Sequence, residues 1–213
     1  MEDTLNINGW KVPQKGALFV VTGPSGTGKT TLVKHALSQI PAIDFSVSAT
    51  TRPIRHTETD GVDYHFLSKQ QFQQKIQSGD FLEWAEVYGN FYGTLKKPVE
   101  DALQSGKSIL LDIDIQGARQ VKQNAPQCTS IFILPPDLET LEQRLRSRKT
   151  DSEEIIQKRM RESKEQLRGC GEFDFLVIND VLEGAHDCFQ GILISELSKR
   201  EFRLDWVEHF TKE

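Results

Sequence analysis

The chain is poor in cysteine, poor in basic excess and without any long apolar run, and each shortage narrows what it can be. Its three cysteines, Cys128, Cys170 and Cys188, are odd in number, far apart and in no CxxC pair. That excludes a disulfide framework and a zinc ribbon and leaves reduced thiols in a cytoplasmic protein as the expectation. No stretch approaches the ~20 consecutive apolar residues of a membrane span. The opening MEDTLNINGWKVPQKG lacks the basic and apolar segments of a secretory signal. A formal net charge of −5 argues against a non-specific grip on nucleic-acid phosphates, although a few clustered Arg and Lys could still serve a small anion. Neither nucleic acid nor membrane is therefore expected as a partner. There is no internal repeat and no low-complexity tract. With 213 residues, the chain suits one large α/β domain carrying appended lobes.

What the chain does have is concentrated first in residues 17–31, ALFVVTGPSGTGKTT. A short apolar β-branched run leads into Gly23-Pro24-Ser25-Gly26-Thr27-Gly28-Lys29-Thr30, a complete GxxxxGK[ST] signature, followed by Thr31 and a helical pattern. The glycines let backbone N–H groups converge on one anion, and the following helix adds the positive end of its dipole. Such a nest holds the phosphates of a nucleotide, with Lys29 reaching the β- and γ-phosphates and the Thr30 hydroxyl holding Mg²⁺.

Residues 31–39 read as a helix with Leu32, His35, Ala36 and Gln39 on one face, ended by Pro41, and His35 reads as a helix-surface residue. Residues 44–49 alternate as one strand and run into TTRPIRHTETDGVDYHF. There Arg52 and Arg55 flank a stiffening proline, and guanidinium forks match phosphate oxygens. A short strand over 64–67 and the capping box Ser68-Lys69-Gln70-Gln71 follow, opening a helix that Gly79 ends. FLEWAEV (81–87) reads as a half-buried strand with Glu83 and either Trp84 or Ala85 on opposite faces; residues 88–94 supply a turn and return strand. Together these form a small, mostly antiparallel lobe inserted into an α/β frame.

Pro98 and Gly106 bound a further helix. The strand SILLDID (108–114) then ends in Asp112 and Asp114, and the carboxyl ends of parallel strands are where ligands lie. Gln116-Gly117 starts a helix, 130–134 is a strand, and Pro135-Pro136-Asp137 caps a helix over 138–147. The βαβα alternation predicts a parallel sheet. Residues 140–161 are strongly charged; Arg144 and Arg148 share a helical face and Arg159 follows a break, which suits a flap closing over triphosphate. Residues 173–179 read as the last core strand, 181–199 as an amphipathic covering helix, and the remainder as a helical tail.

Taken together, GPSGTGKTTL, SVSATTRPIR with Glu58, Gly61 and Tyr64, FLEWAEVYGNFYGT, LLDIDIQGA, RLRSRKTDSEEIIQKRM and VIND resemble the guanylate kinase family over roughly residues 16–195. Spacing alone points to a P-loop NTPase with an inserted lobe; the acceptor comes from the resemblance. The family implies a P-loop kinase fold with a central parallel sheet flanked by helices, a GMP-binding lobe and a helical lid. In this chain the core would span 16–50, 96–137 and 170–200, the lobe 51–95 and the lid 138–169, between tails at 1–15 and 201–213. It implies transfer of the γ-phosphoryl group of ATP to GMP, with dGMP as a further acceptor, and Mg²⁺ bound beside ATP. Ser48 and Glu83 would read the guanine edge with Thr94 nearby. Arg52, Arg55, Tyr64 and Tyr92 would hold the GMP phosphate, Arg52 counting also among the catalytic groups. Lys29, Arg144, Arg148 and Arg159 would surround the transferring phosphoryl group, and Asn179 would sit near the adenine. Asp112, through water on the metal held by Thr30, and Asp114 would organise metal, water and acceptor between them. The competing readings are a non-catalytic guanylate-kinase-like scaffold, which usually has a degraded ATP site, and another nucleotide kinase. Against the scaffold stand Gly28, Lys29, Thr30, Asp112 and the flap arginines, all present.

Overall fold

The structure, a computed structural model, describes residues 6–7, 10–11, 15–87, 89–147 and 152–211. Arg148 and Tyr88 lie outside the described residues, as does the side chain of Trp10. In the N-terminal segment, read from sequence as a tail, β1 (Asn6–Ile7) pairs antiparallel with β2 (Trp10–Lys11). Asn8-Gly9 stands between them in the sequence, a strong short-range hairpin signal.

The centre of the molecule is β3 (Leu18–Thr22), every residue of which is buried. After α1 (Lys29–Gln39) come β4 (Ile43–Phe45), β5 (Ala49–Thr50), β6 (His65–Phe66), α2 (Lys69–Gln77), β7 (Phe81–Val87), β8 (Asn90–Leu95) and α3 (Lys96–Gln104). The second half runs β9 (Ser108–Asp112), α4 (Ile115–Asn124), β10 (Thr129–Leu134), α5 (Leu138–Ser147), α6 (Glu153–Arg168), β11 (Phe175–Ile178), α7 (Leu182–Leu197) and α8 (Leu204–Thr211). A five-stranded sheet in the order β11-β10-β3-β9-β4 is parallel throughout.

Because successive strand residues point to opposite faces, β3 serves two cores at once. Phe19 and Val21 pack with Leu32, Val33 and Ala36 of α1 and with Ala185, Phe189 and Leu193 of α7. Leu18 and Val20 pack with Val99 of α3 and with Ile115, Ala118 and Val121 of α4. Each such side chain contributes about 1.5–3 kcal/mol when fully buried, so the strand that leads into the P-loop is anchored from both faces. Phe202 joins the first of these cores, so the chain beyond position 200 begins as part of the domain. On α1, Val33 rather than Gln39 completes the buried face, and Gln39 is exposed.

One expected strand is two. Residues 44–49 divide into β4, parallel to β9 in the large sheet, and β5, which belongs to a second sheet of order β6-β5-β8-β7. Alternation continues through both pieces, but Ser46 still donates its N–H to Leu110 O (3.1 Å) while the Ser48 carbonyl already accepts from His65 N–H (2.9 Å). The chain changes sheets between those two serines. The small sheet is mixed, with antiparallel β5–β8 and β7–β8 pairs and a parallel β5–β6 pair. Its own core stacks Phe72 on Phe81 and Phe91 (centroids 4.3 and 5.4 Å). The Ser68 capping box on α2 is present as expected.

Helices α5 and α6 form a hairpin with a separate apolar core of Leu141, Leu145, Ile156 and Met160. Asp137 accepts from Thr140 N–H (2.6 Å) at the start of α5, and Ser152 caps α6. No helix among the described residues is long and apolar enough to cross a membrane.

Candidate active site

The end of β3 delivers the chain into a turn that only glycine fits at two points. A Cβ on Gly23 (φ 144°) would lie 2.4 Å from the Ile133 carbonyl oxygen. One on Gly28 (φ 87°) would lie 2.3 Å from Asn179 Nδ2. Gly28 is the N-cap of α1 and provides no side-chain cap, so the helix presents its N-terminus to an incoming anion. Lys29 Nζ donates back to the Gly23 carbonyl (2.6 Å), which holds the ammonium over the loop. The loop lines a cavity of about 500 Å³ with Gly23, Pro24, Ser25, Gly26, Gly28, Lys29, Thr30 and Thr31 on one side and Asp112, Ile113 and Asp114 on the other. Thr27, buried, turns its hydroxyl to the Pro24 carbonyl instead (2.9 Å).

A second cavity, about 280 Å³, opens between the large sheet and the lobe. Ser48, Tyr64, Glu83, Ala85, Val87 and Tyr92 line it, together with the same Asp112, Ile113 and Asp114. The two cavities therefore share one wall, the loop leaving β9. Glu83, Ala85 and Val87 occupy one face of β7 and exposed Trp84 the other, which settles the alternation on that strand.

Glu83 is 6% exposed, and a register shift between Phe81 and Glu83 brings it into the buried side. Thr94 Oγ1 donates to its carboxylate (2.8 Å). Burial, above all, pushes the Glu83 carboxyl up to about 7; the negative charge of Asp114 adds to this and the Thr94 hydroxyl opposes it. Thr94 itself is 1% exposed and acts on the cavity through Glu83. Asp112 is likewise raised by burial, with the Lys29 ammonium pulling the other way. Asp114 does not end the strand as the sequence pattern implied. It caps α4, its Oδ1 accepting from Gln116 and Gly117 N–H (2.7 and 2.9 Å). Its short side chain competes for those helix-end donors, which is why β9 stops at Asp112.

The arginines expected at the phosphates are less converged than the loops. Arg52 forms a two-pronged ion pair with Glu58 (3.0 and 2.7 Å) and lies over the Tyr64 ring, 5.4 Å from its centroid. The Glu58 hydrogen bonds hold the guanidinium above its ordinary value. Arg55 is exposed beside it, its backbone N–H donating to Glu58 (2.8 Å). Neither lines the second cavity, although Arg52 covers the ring of Tyr64, which does. Arg144 donates to the Asn179 carbonyl (3.1 Å) and Arg159 sits half-buried on α6; neither lines the P-loop cavity. Gln166 of α6 does. In sequence nothing marked it out from the charged residues around it. Asn179, expected near adenine, is 4% exposed and donates from Nδ2 to the Thr27 carbonyl (2.7 Å), so its amide faces the P-loop.

A guanylate kinase family profile matches residues 15–196. The guanylate kinase of Carboxydothermus hydrogenoformans is 50% identical over 185 residues, 87% of this chain and 91% of that protein. That of Thermosynechococcus vestitus is 50% identical over 171 residues, 80% and 90% of the two chains. Among solved structures, the crystal structure of guanylate kinase from Anaplasma phagocytophilum superimposes with a TM-score of 0.68 at 30% identity, covering 95% of this chain and 99% of that one. Two cavities meeting at an acidic loop, one floored by a P-loop and the other walled by a small inserted lobe, are thus joined to close sequence relatives, and the chain belongs to the guanylate kinase family.

Proposed function

We propose that this protein transfers the γ-phosphoryl group of ATP to GMP, giving ADP and GDP, with ATP phosphates in the P-loop cavity and GMP in the cavity beneath the lobe. The observation that carries this is the shared wall: Asp112, Ile113 and Asp114 border both cavities, so two phosphate chains would meet there in line. The acceptor is a phosphate oxygen already largely ionised near neutral pH, so no general base is required. What opposes reaction is repulsion between two polyanions, and this chain's residues act on that. Lys29 leaves the Gly23 carbonyl for the β- and γ-phosphates, while Gly28 and Thr30 at the head of α1 hold the oxygens behind them.

Glu83, ionised, accepts from the adjacent N1–H and N2–H₂ donors of guanine, and Ser48 lies across the same cavity for O6. Tyr64 and Tyr92 border the GMP phosphate, and Arg52 and Arg55 close on it. Closure of the α5–α6 hairpin brings Arg144 and Arg159 to the transferring group and excludes water that would hydrolyse ATP. Thr30 and Asp112 fit Mg²⁺: both offer hard oxygen donors on facing sides of one cavity. Among the described residues no group of three or more His, Cys, Asp or Glu stands ready as a metal site, in keeping with an ion that arrives with the triphosphate. Held there, the ion would offset the negative charge that the phosphates build up during transfer. Free thiols at Cys128, Cys170 and Cys188 suit the cytoplasm, where these substrates occur.

A coupled assay offering ATP with GMP, AMP, CMP and UMP in turn tests this reading. Turnover is expected with GMP and at most a trace with the others. Equal turnover with AMP would overturn the acceptor assignment.

A further inference from the structure

We infer that Asn179 is a positioning residue for the P-loop, its amide aiming the Gly28 N–H into the nest, and not a reader of the ATP base. The inference rests on reading the first cavity as a triphosphate site. It starts from how firmly Asn179 is held. Its backbone N–H donates to Leu134 O (2.8 Å), continuing the ladder between β10 and β11 by one residue. Its carbonyl accepts from Arg144 of α5 (3.1 Å). With the backbone pinned on both sides, the side chain turns inward and Nδ2 reaches the Thr27 carbonyl at 2.7 Å.

The peptide between Thr27 and Gly28 is planar and trans, so its C=O and N–H point in opposite directions. Drawing the Thr27 oxygen toward Asn179 turns the Gly28 N–H away from it, and Gly28 lines the P-loop cavity on that other side. One buried hydrogen bond therefore orients one donor of the anion nest without touching the anion. The same contact explains why residue 28 lacks a side chain: a Cβ there would overlap Nδ2 at 2.3 Å. A base-reading role would need an amide edge open to the nucleotide, whereas Asn179 is 4% exposed. The Arg144 bond also means that α5, whose Leu141 and Leu145 stand 3.1 and 3.2 Å from where a Gly26 Cβ would lie, is tied to the loop directly and through Asn179.

The test uses the full-length enzyme with Asn179→Ala and Asn179→Asp, the latter keeping the shape but setting an oxygen against the Thr27 carbonyl. Inorganic tripolyphosphate, which has no base, serves as inhibitor; ATP and ITP, differing at the purine 6-position, serve as donors. Both variants are expected to raise the tripolyphosphate Ki and the ATP KM together, by about tenfold or more, as when a buried partner is removed and an aligned donor is lost. The ratio of kcat/KM for ATP over ITP stays within about twofold and GMP affinity is unchanged. An unaltered tripolyphosphate Ki with a changed ATP/ITP ratio would show that Asn179 reads the base and overturn the inference. An equal loss of GMP affinity alongside a lowered Tm would show a general structural role and overturn it too. Asn179→Ser, smaller in disruption, supplies the same readouts where Asn179→Ala does not fold. Wild-type enzyme that fails to turn over ATP with GMP would instead sink the reading of the site itself.

Discussion

Replacing Glu83 by glutamine should make the free protein more stable above neutral pH and a poorer enzyme for GMP. The carboxyl is buried beside Thr94 and titrates at about 7 instead of the ordinary 4.5. In the unfolded chain it ionises near its ordinary value, so between about pH 4.5 and 7 the folded state holds a proton that the unfolded state has released. Stability therefore falls as pH rises through that window. At about 1.36 kcal/mol per pH unit the full effect is roughly 3 kcal/mol above pH 7, an upper figure that the glutamine's own unpaired N–H groups reduce. Urea unfolding of the free proteins at pH 5 and pH 8 reads this directly: Glu83→Gln should gain on wild type by about 1–3 kcal/mol between the two. At the same time the KM for GMP should rise roughly tenfold to a hundredfold, with the KM for ATP little changed, because an ionised carboxylate accepts from both guanine donors and an amide oxygen from one. The pH dependence of kcat/KM for GMP should carry the same signature. At pH 6 only about a tenth of Glu83 is ionised, so wild type should lose about tenfold relative to pH 8 beyond whatever the variant loses through titration of GMP itself. A stability difference that does not move with pH, together with an unaltered GMP KM, would refute the assignment of a buried, guanine-reading acid.

Lys29→Ala should abolish turnover, by at least 10²- to 10³-fold, while GMP binding measured by calorimetry stays nearly intact; near-wild-type kcat would refute the P-loop assignment. Gly117→Ala should raise the GMP KM several-fold and leave that for ATP alone, because the new Cβ would lie 2.8 Å from Glu83 Oε2; unchanged kinetics would show that the Glu83 carboxylate is not held at that spot. Small-angle scattering should show compaction only when GMP and a non-hydrolysable ATP analogue are both bound, since Arg144 and Arg159 stand off the P-loop cavity in this structure. An unchanged radius with both sites full would rule out closure of the α5–α6 hairpin.

Much of this was legible because it is local chemistry. The GxxxxGK[ST] turn names its own φ requirements, and Gly23, Gly26 and Gly28 all take positive φ. The Ser68–Gln71 capping box and the start of α5 at Leu138, where Asp137 accepts from Thr140 N–H, follow from side chains acting within a turn of themselves. What was not legible depends on partners distant in sequence. The division of residues 44–49 between two sheets is decided by β9 on one side and by β6 and β8 on the other; the alternation itself is continuous. Asp114 read as a strand end because SILLDID is apolar enough to continue, yet the unpaired N–H groups of α4 claim its carboxylate. Gln166 lies in a helix whose pattern marks only a solvated face, and its place against the P-loop follows from where α6 returns to the core. Asn179 came by resemblance, but its side-chain partner is the Thr27 carbonyl, 152 positions away.

The claim at the centre is that the cavity under the lobe and the P-loop cavity are two halves of one reaction site joined at Asp112–Asp114. A bisubstrate molecule, adenosine and guanosine linked 5′ to 5′ through five phosphates, spans both halves, and its inhibition pattern is the most direct measurement. Binding of one molecule per chain, competitive against both ATP and GMP and weakened by Glu83→Gln and by Lys29→Ala alike, is the predicted result. Competition against only one of the two nucleotides, or binding of two molecules per chain, would contradict it.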